Sequence, residues 1–150
     1  MLQRCYPVVL APDYPADVLA AALPGMTRAK PALLTSGSYF VTEGALGRIV
    51  AAGGWTRGAP GNGVMQGATG HIRHVASDPD LLRQGLGRRL MQAVMADAKA
   101  TGIVRLECLS TRTAEPFYAN MGFLSVGPVD VMLGSGVVFP AVLMLADLTG

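Results

Sequence analysis

A strand, a helix and a second strand follow one another in the middle of the chain, and this order constrains the fold more than any other feature. Residues 71–77 and 103–109 have the apolar, β-branched composition of strands. Between them, apolar residues at three- and four-residue spacing form one stripe of an amphipathic helix. Because such a crossover normally leaves its two strands parallel, this unit predicts a sheet covered by helices. The stripe consists of Leu86, Leu90, Met91, Val94, Met95 and Ala98.

Further strands and helices are predicted on both sides of this unit. Before residue 37, prolines interrupt the chain and leave two short helices, over residues 17–23 (closed by Pro24-Gly25) and 29–34. After the unit, Thr113 is predicted to cap a short helix. The fold class predicted is α/β, a mixed, twisted sheet with helices on both faces. The remaining strands are predicted at residues 38–43, 48–56, 123–133 and 137–145.

The composition indicates a single domain over residues 1–150. A chain of 150 residues can bury one core but not two, and 51% apolar with 15% charged residues excludes disorder and a coiled coil. The longest apolar stretch, residues 137–146, is too short to span a bilayer, and no secretory signal begins the chain, so a cytoplasmic location is expected. The net charge of +2 is too slight to indicate nucleic-acid binding, for which a concentrated basic face is expected. Two distant cysteines, Cys5 and Cys108, indicate neither a disulfide framework nor a metal site.

A glycine-containing turn precedes the central helix, in the segment RQGLGRR at residues 83–89. The first turn of a helix has unpaired N–H donors and the positive end of the helix dipole, which together favour an anion. Arginine at a helix N-terminus is electrostatically unfavourable unless an anion offsets its charge. A plain turn is the alternative, but the arginines favour a phosphate site. A dinucleotide site is excluded because its third glycine would fall at Leu90.

Two segments carry a family resemblance. Residues 78–91 (DPDLLRQGLGRRLM) resemble the acetyl-coenzyme A motif of the GNAT superfamily of N-acetyltransferases. Residues 114–123 (AEPFYANMGF) resemble that family's second signature, Ala-x-x-Phe-Tyr followed by Gly-Phe. The resemblance implies a three-layer α/β/α acyltransferase fold and acetyl-coenzyme A as cosubstrate, with no metal.

The resemblance also implies which residues bind the cofactor. The pantetheine arm is expected to pair with the backbone at Val75 and Ser77. Leu82 and Thr111 depart from the family pattern, which usually has Arg or Gln at the first position and often has Asn at the second. Thr111 is nevertheless retained as a cofactor-binding candidate. The backbone amides expected to hold the pyrophosphate are those of Arg83, Gln84, Gly85, Gly87 and Arg88.

Acetyl transfer from a thioester to an amine needs a deprotonated amine and benefits from protonation of the leaving thiolate. The resemblance makes Tyr118 the acid, and packing beside Phe117 is the alternative for this side chain. His71 is the predicted base, because family members with a side-chain base often carry it near the start of this strand. Strict alternation puts His71 on the face of Val75 and Ser77.

Other candidate bases remain open at this stage. His74 alternates with Ile72 and Ala76 on the apolar side of the strand and is predicted to be structural. A bulge in the strand would exchange the roles predicted for His71 and His74. Glu107, Glu43 and Asp78 are lesser candidates. Apolar walls for the acceptor are predicted from Tyr39, Trp55 and Met132.

The function predicted is transfer of an acetyl group from acetyl-coenzyme A to a primary amine of a small molecule, by direct attack in a ternary complex. Two alternatives are a transferase acting on a protein N-terminus or lysine, and a coenzyme A-binding module without turnover. The expected partner is a small-molecule amine, with a homodimer left open; neither nucleic acid nor a membrane is expected.

Overall fold

The computed structural model describes residues 2–27, 31–60, 63–81, 85–132 and 136–149. Among these residues, no helix has the length and apolar character needed to cross a membrane. The helices are α1 (Leu2–Leu10), α2 (Ala16–Met26), α3 (Pro31–Leu34), α4 (Leu86–Ala100) and α5 (Glu115–Asn120). The strands are β1 (Tyr39–Glu43), β2 (Ile49–Thr56), β3 (Thr69–Ser77), β4 (Arg105–Ser110), β5 (Leu124–Met132) and β6 (Val138–Asp147).

The strands form one mixed sheet in the order β1-β2-β3-β4-β6-β5. All neighbouring pairs are antiparallel except β3 and β4, which are parallel and joined by the crossover helix α4. The predicted strand–helix–strand unit and the mixed α/β sheet are therefore confirmed. The predicted stripe of α4 is confirmed as well, since Leu90, Met91, Val94 and Ala98 are all buried.

The two parallel strands stay together for only a short distance. β3 pairs with β4 over three residue pairs, ending at His71 and Glu107. Beyond that point β3 continues to Ser77 and β4 to Ser110, each paired only with its other neighbour. The sheet therefore has a split between β3 and β4 that opens toward the C-terminal ends of both strands.

A β-bulge in β3 lies within this split. Ala52 of β2 pairs with Ala76 and Gly54 pairs with Arg73, so that Gly53 alone stands opposite two residues of β3, His74 and Val75. His74 has a φ of +47°, in the left-handed region that non-glycine residues rarely adopt. An extra residue bends a strand and reverses the alternation of its side chains beyond the bulge.

Helices cover both faces of the sheet. On one face, α4 and α5 pack over the main core, which includes Met144 of β6. On the other, α1 and α2 form a second cluster with Phe139 of β6, whose ring stacks on Tyr14 at 4.5 Å between centroids. Phe139 and Met144 are separated by an odd number of positions on one strand and therefore point to opposite faces.

The N-terminal helices differ from those predicted. Helix α1 was not predicted, and α2 continues through Pro24 to Met26 instead of ending there. Both helices retain an internal proline because their apolar sides are buried, which outweighs the loss of one helical hydrogen bond. In α1 the buried residues are Leu2, Cys5 and Leu10.

We expect Gly53→Ala to destabilise the fold and Gly127→Ala to leave it nearly unchanged. A Cβ at Gly53 would lie 2.7 Å from Val75 Cγ2 and 3.2 Å from Val75 Cα, so the bulge would have to shift. A Cβ at Gly127 of β5 meets nothing within 4 Å. Overpacking of this kind costs about 1–3 kcal/mol. Urea unfolding of both variants measures the difference, and equal free energies of unfolding would contradict the packing seen at the bulge.

Candidate active site

A cavity of about 490 Å³ occupies the split between β3 and β4. Its walls come from the part of β3 that is not paired with β4, from the end of β4 and the loop that follows it, and from α5. The first residues of α4 reach it through Gly87, and α1 and α2 line its remaining side. The volume lies in the range of small-molecule sites, which are commonly 300–1,000 Å³.

Four of the predicted cofactor-binding residues line this one cavity: Val75, Ser77, Gly87 and Thr111. They come from β3, α4 and the loop after β4, so the fold brings together residues that are up to 36 positions apart in the sequence. Gly85 and Arg88 lie at the start of α4, and both are exposed. The predicted residues Arg83 and Gln84, and also Leu82, lie outside the described residues.

The start of α4 has the features predicted for an anion site. Gly85 is the N-cap, with a φ of +75°, and no side chain caps the helix there. The N–H groups of the first helical turn have no acceptor within the helix, so they are available to an anion. Gly87 packs closely, because a Cβ there would lie 3.1 Å from the ring of Phe117. A larger residue at this position would narrow the space between α4 and α5.

Tyr118 lines the cavity from α5 and is 5% exposed. Burial raises the pKa of its phenol well above the ordinary value. Burial also raises the pKa of the Cys108 thiol, which lines the same cavity, to about 12. Both groups are therefore neutral at physiological pH.

His71 does not line the cavity. It is 5% exposed and lies at the closed end of the split, where its Nδ1 is 3.4 Å from Glu107 Oε2. Its Nε2 is buried without a hydrogen-bond partner in the described part of the chain. Burial lowers the pKa of His71; the Glu107 carboxylate raises it and the Arg73 guanidinium lowers it further, with a net lowering. The imidazole is therefore neutral at pH 7.

His74 lines the cavity instead. The strict alternation predicted for β3 was wrong beyond residue 73, because the bulge reverses it. Ile72 lies on the α4 face before the bulge, and Val75 lies on that same face after it. His71 and Val75 therefore lie on opposite faces, although their spacing predicted the same one. The backbone carbonyl of His74 accepts a hydrogen bond of 3.0 Å from the Tyr39 hydroxyl, which supports the bulge from β1.

Two further polar side chains at the cavity were not predicted to function there. The Tyr6 hydroxyl donates to the backbone oxygen of Val75 at 3.0 Å, and thus engages the strand edge that the split leaves without a neighbour. Thr113 does not cap α5, whose N-cap residue is Ala114 and which has no side-chain cap; the Ala114 N–H donates to Thr111 Oγ1 at 3.1 Å. The Thr113 hydroxyl is instead buried, without a hydrogen-bond partner among the described residues, and lines the cavity.

The three residues predicted as apolar walls for the acceptor do not line the cavity. Trp55 is buried in the main core, where its Nε1 donates to Asp97 at 2.8 Å, and Met132 is exposed. Tyr39 contacts the bulge through its hydroxyl but is not among the residues that line the cavity. Residues of α1 and α2, whose side chains were not assigned a role from the sequence, line the cavity instead.

The lesser candidate bases also lie outside the cavity. Asp78 is buried and its Oδ2 is 3.1 Å from the Arg48 guanidinium. Glu43 is exposed at the end of β1, and Glu107 contacts His71. None of the three lines the cavity, so among the described histidines and carboxylates only His74 does.

The chain was compared with known proteins. The model of the acetyltransferase (GNAT) domain matches residues 35–138, which is more than half of the chain. No curated protein sequence matches it. A GCN5-related N-acetyltransferase from Rhodopseudomonas palustris has a similar structure, with a TM-score of 0.73 and 21% identity over 97% of this chain and 84% of that one.

Two other solved structures are similar. An acetyltransferase from Exiguobacterium sp. 255-15 has a TM-score of 0.60 and 26% identity, over 87% of this chain and 75% of that one. N-acetylglutamate synthase from Neisseria gonorrhoeae, solved with coenzyme A and L-arginine, has a TM-score of 0.60 and 17% identity, over 82% of this chain and 27% of that one. With the family model, the glycine turn and the split sheet, these likenesses lead to one conclusion: the chain belongs to the GNAT superfamily and is an acetyl-coenzyme A-dependent acetyltransferase.

Proposed function

We propose that the protein transfers the acetyl group to the primary amine of a small molecule by direct attack in a ternary complex. One observation carries this proposal: a single cavity joins four of the residues predicted for the cofactor to Tyr118 and is bordered by α1 and α2. A transferase acting on a protein terminus or lysine would favour an open, acidic groove. Of the described residues that line the cavity, none is Asp or Glu.

The cavity fits the chemistry of acetyl-coenzyme A. The split leaves the backbone edge of β3 at Val75 and Ser77 without a neighbouring strand, as required for pairing with the pantetheine amides. The buried Thr113 hydroxyl needs a hydrogen-bond partner, which an amide-bearing ligand would supply. The start of α4, with Gly85, Gly87 and Arg88, would hold the pyrophosphate. When bound, acetyl-coenzyme A supplies a thioester carbonyl and a thiol leaving group.

Tyr118 is the proposed acid. In the reaction the amine nitrogen forms a bond to the acetyl carbon, the carbon–sulfur bond breaks, and one proton moves from the amine side to the sulfur. Tyr118 holds its proton because burial raises the pKa of its phenol.

His74 is the proposed base, in place of His71. Proton removal requires a group within reach of the amine, directly or through one water. His74 lines the cavity, whereas His71 contacts Glu107 at the closed end of the split. A neutral imidazole can take the amine proton at physiological pH and release it to solvent, from which the Tyr118 phenolate regains the proton that it gave to the sulfur.

We expect Tyr118→Phe to lower kcat while the cofactor Kd stays within a few fold. The ring keeps its packing against Phe117 and Phe123, and only the hydroxyl is lost. General acid catalysis contributes about 10²–10⁴-fold to a rate. Because a thiolate is already a fair leaving group, we expect kcat to fall by about 10²-fold. The measurement is amine-dependent release of coenzyme A with mass-spectrometric detection of the N-acetyl product, beside calorimetric binding of coenzyme A.

Two results of this measurement would count against the proposal. Coenzyme A binding by the wild-type protein without amine-dependent release, across primary amines, would identify a binding module without turnover. An undiminished kcat of Tyr118→Phe, under conditions in which chemistry limits the rate, would return Tyr118 to a packing role. The buried cysteines, Cys5 and Cys108, should react slowly in thiol assays of the folded protein.

We expect His74→Gln to remove the acidic limb of the pH profile of kcat/KM, because this limb reports protonation of the base in the free enzyme. His71→Gln is the matched control and should retain the limb. Its effect should appear in stability: since the folded protein lowers the pKa of His71, the wild type loses stability as the pH falls through about 6.5, and the glutamine variant should lose less. An acidic limb lost in His71→Gln but kept in His74→Gln would reverse the assignment.

A further inference from the structure

The wall of the cavity formed by α1 and α2 bears on the chemistry of the acceptor. This wall includes Tyr6, Val9 and Leu10 from α1 and Met26 from α2. If the pantetheine arm follows β3, as in the proposed function, the wall formed by α1 and α2 is the one left to contact the acceptor. Apart from the Tyr6 hydroxyl, which donates to Val75, these side chains present hydrocarbon and a thioether.

The cavity also lacks fixed charge. Within the ranges that the structure describes, its lining contains no Asp, Glu, Lys or Arg. Three lining groups that could ionise are held neutral, because burial raises the pKa values of Tyr6, Cys108 and Tyr118. A ligand charge placed here would lose hydration and find no counter-charge.

We infer that the acceptor is a primary amine whose remaining part is apolar and carries no second charge, an inference that rests on the proposed function. A charge that leaves water for an apolar site without a partner is strongly disfavoured. The same penalty acts on the reacting group, where it helps catalysis: an ammonium in this cavity has a lowered pKa, so the neutral nucleophile is the form bound. A carboxylate or a second ammonium on the acceptor would pay the same desolvation penalty without any benefit to catalysis.

A matched series of amines tests the inference with the wild-type enzyme. Hexylamine, aminocaproate and hexamethylenediamine share a six-carbon chain and a primary amine, and differ at the far end by a methyl, a carboxylate or a second ammonium. We expect kcat/KM for hexylamine to exceed the other two by about 100-fold, the cost of one uncompensated buried charge. The readout is the N-acetyl product of each amine at saturating acetyl-coenzyme A.

Two variants of neighbouring valines locate the effect. Val9 lines the cavity and Val8, the residue before it on α1, is 61% exposed and does not. Val9→Lys adds a positive charge to the acceptor wall and should raise the preference for aminocaproate over hexylamine by about tenfold. Val8→Lys adds the same charge outside and should leave that ratio unchanged. Met26→Lys serves the same purpose if Val9→Lys fails to fold.

The outcomes separate the inference from the proposed function. Efficient acetylation of aminocaproate or hexamethylenediamine, within about threefold of hexylamine, would overturn the inference and leave the proposed function in place. An equal change of preference in Val8→Lys and Val9→Lys would likewise contradict the assignment of this wall. Acetylation of no amine in the series or in a wider panel, with coenzyme A still bound, would overturn both.

Discussion

The short parallel pairing of β3 with β4 is the feature on which the rest of the site depends. Backbone N–H and C=O groups inside a protein need partners, so a sheet that splits must supply them from elsewhere. At Val75 the structure meets part of this need with the Tyr6 hydroxyl, and the rest of the edge faces the cavity. The contact between His71 and Glu107 marks the closed end of the split, and α1 and α2 border the open space.

The sequence was sufficient for the elements with strong periodicity. The stripe of α4, the parallel crossover and the glycine turn before α4 all follow from spacing, and the two motifs identified the family. The faces of β3 could not be predicted in this way, because period-two alternation fails at a bulge. Nothing in the sequence HIRHVAS marks His74 as the bulged residue; the absence of a Cβ at Gly53 on the neighbouring strand, which permits it, is visible only once the strands are paired.

Helix α1 was a different kind of omission, because its signal is present in the sequence. Leu2, Cys5, Tyr6, Val9 and Leu10 have the spacing of an amphipathic helix, and Pro7 hides it when proline is treated as a helix breaker. Without α1, the acceptor wall was predicted at residues that include Trp55, which lies in the core, and Met132, which is exposed. Long-range packing of α1 and α2 against the sheet, which no local pattern encodes, gives the cavity an apolar wall of described residues that include Val9, Leu10 and Met26.

Hydrogen exchange of backbone amides with and without coenzyme A tests most directly the claim that the split is the cofactor site. Binding should slow exchange in the segment Val75–Ser77 and in the first turn of α4, where the pantetheine arm and the pyrophosphate are expected to pair with the backbone. Exchange in the distant strand β5 should stay unchanged and serves as the internal reference. Protection confined to other segments, with Val75–Ser77 and the start of α4 unaffected, would contradict the account.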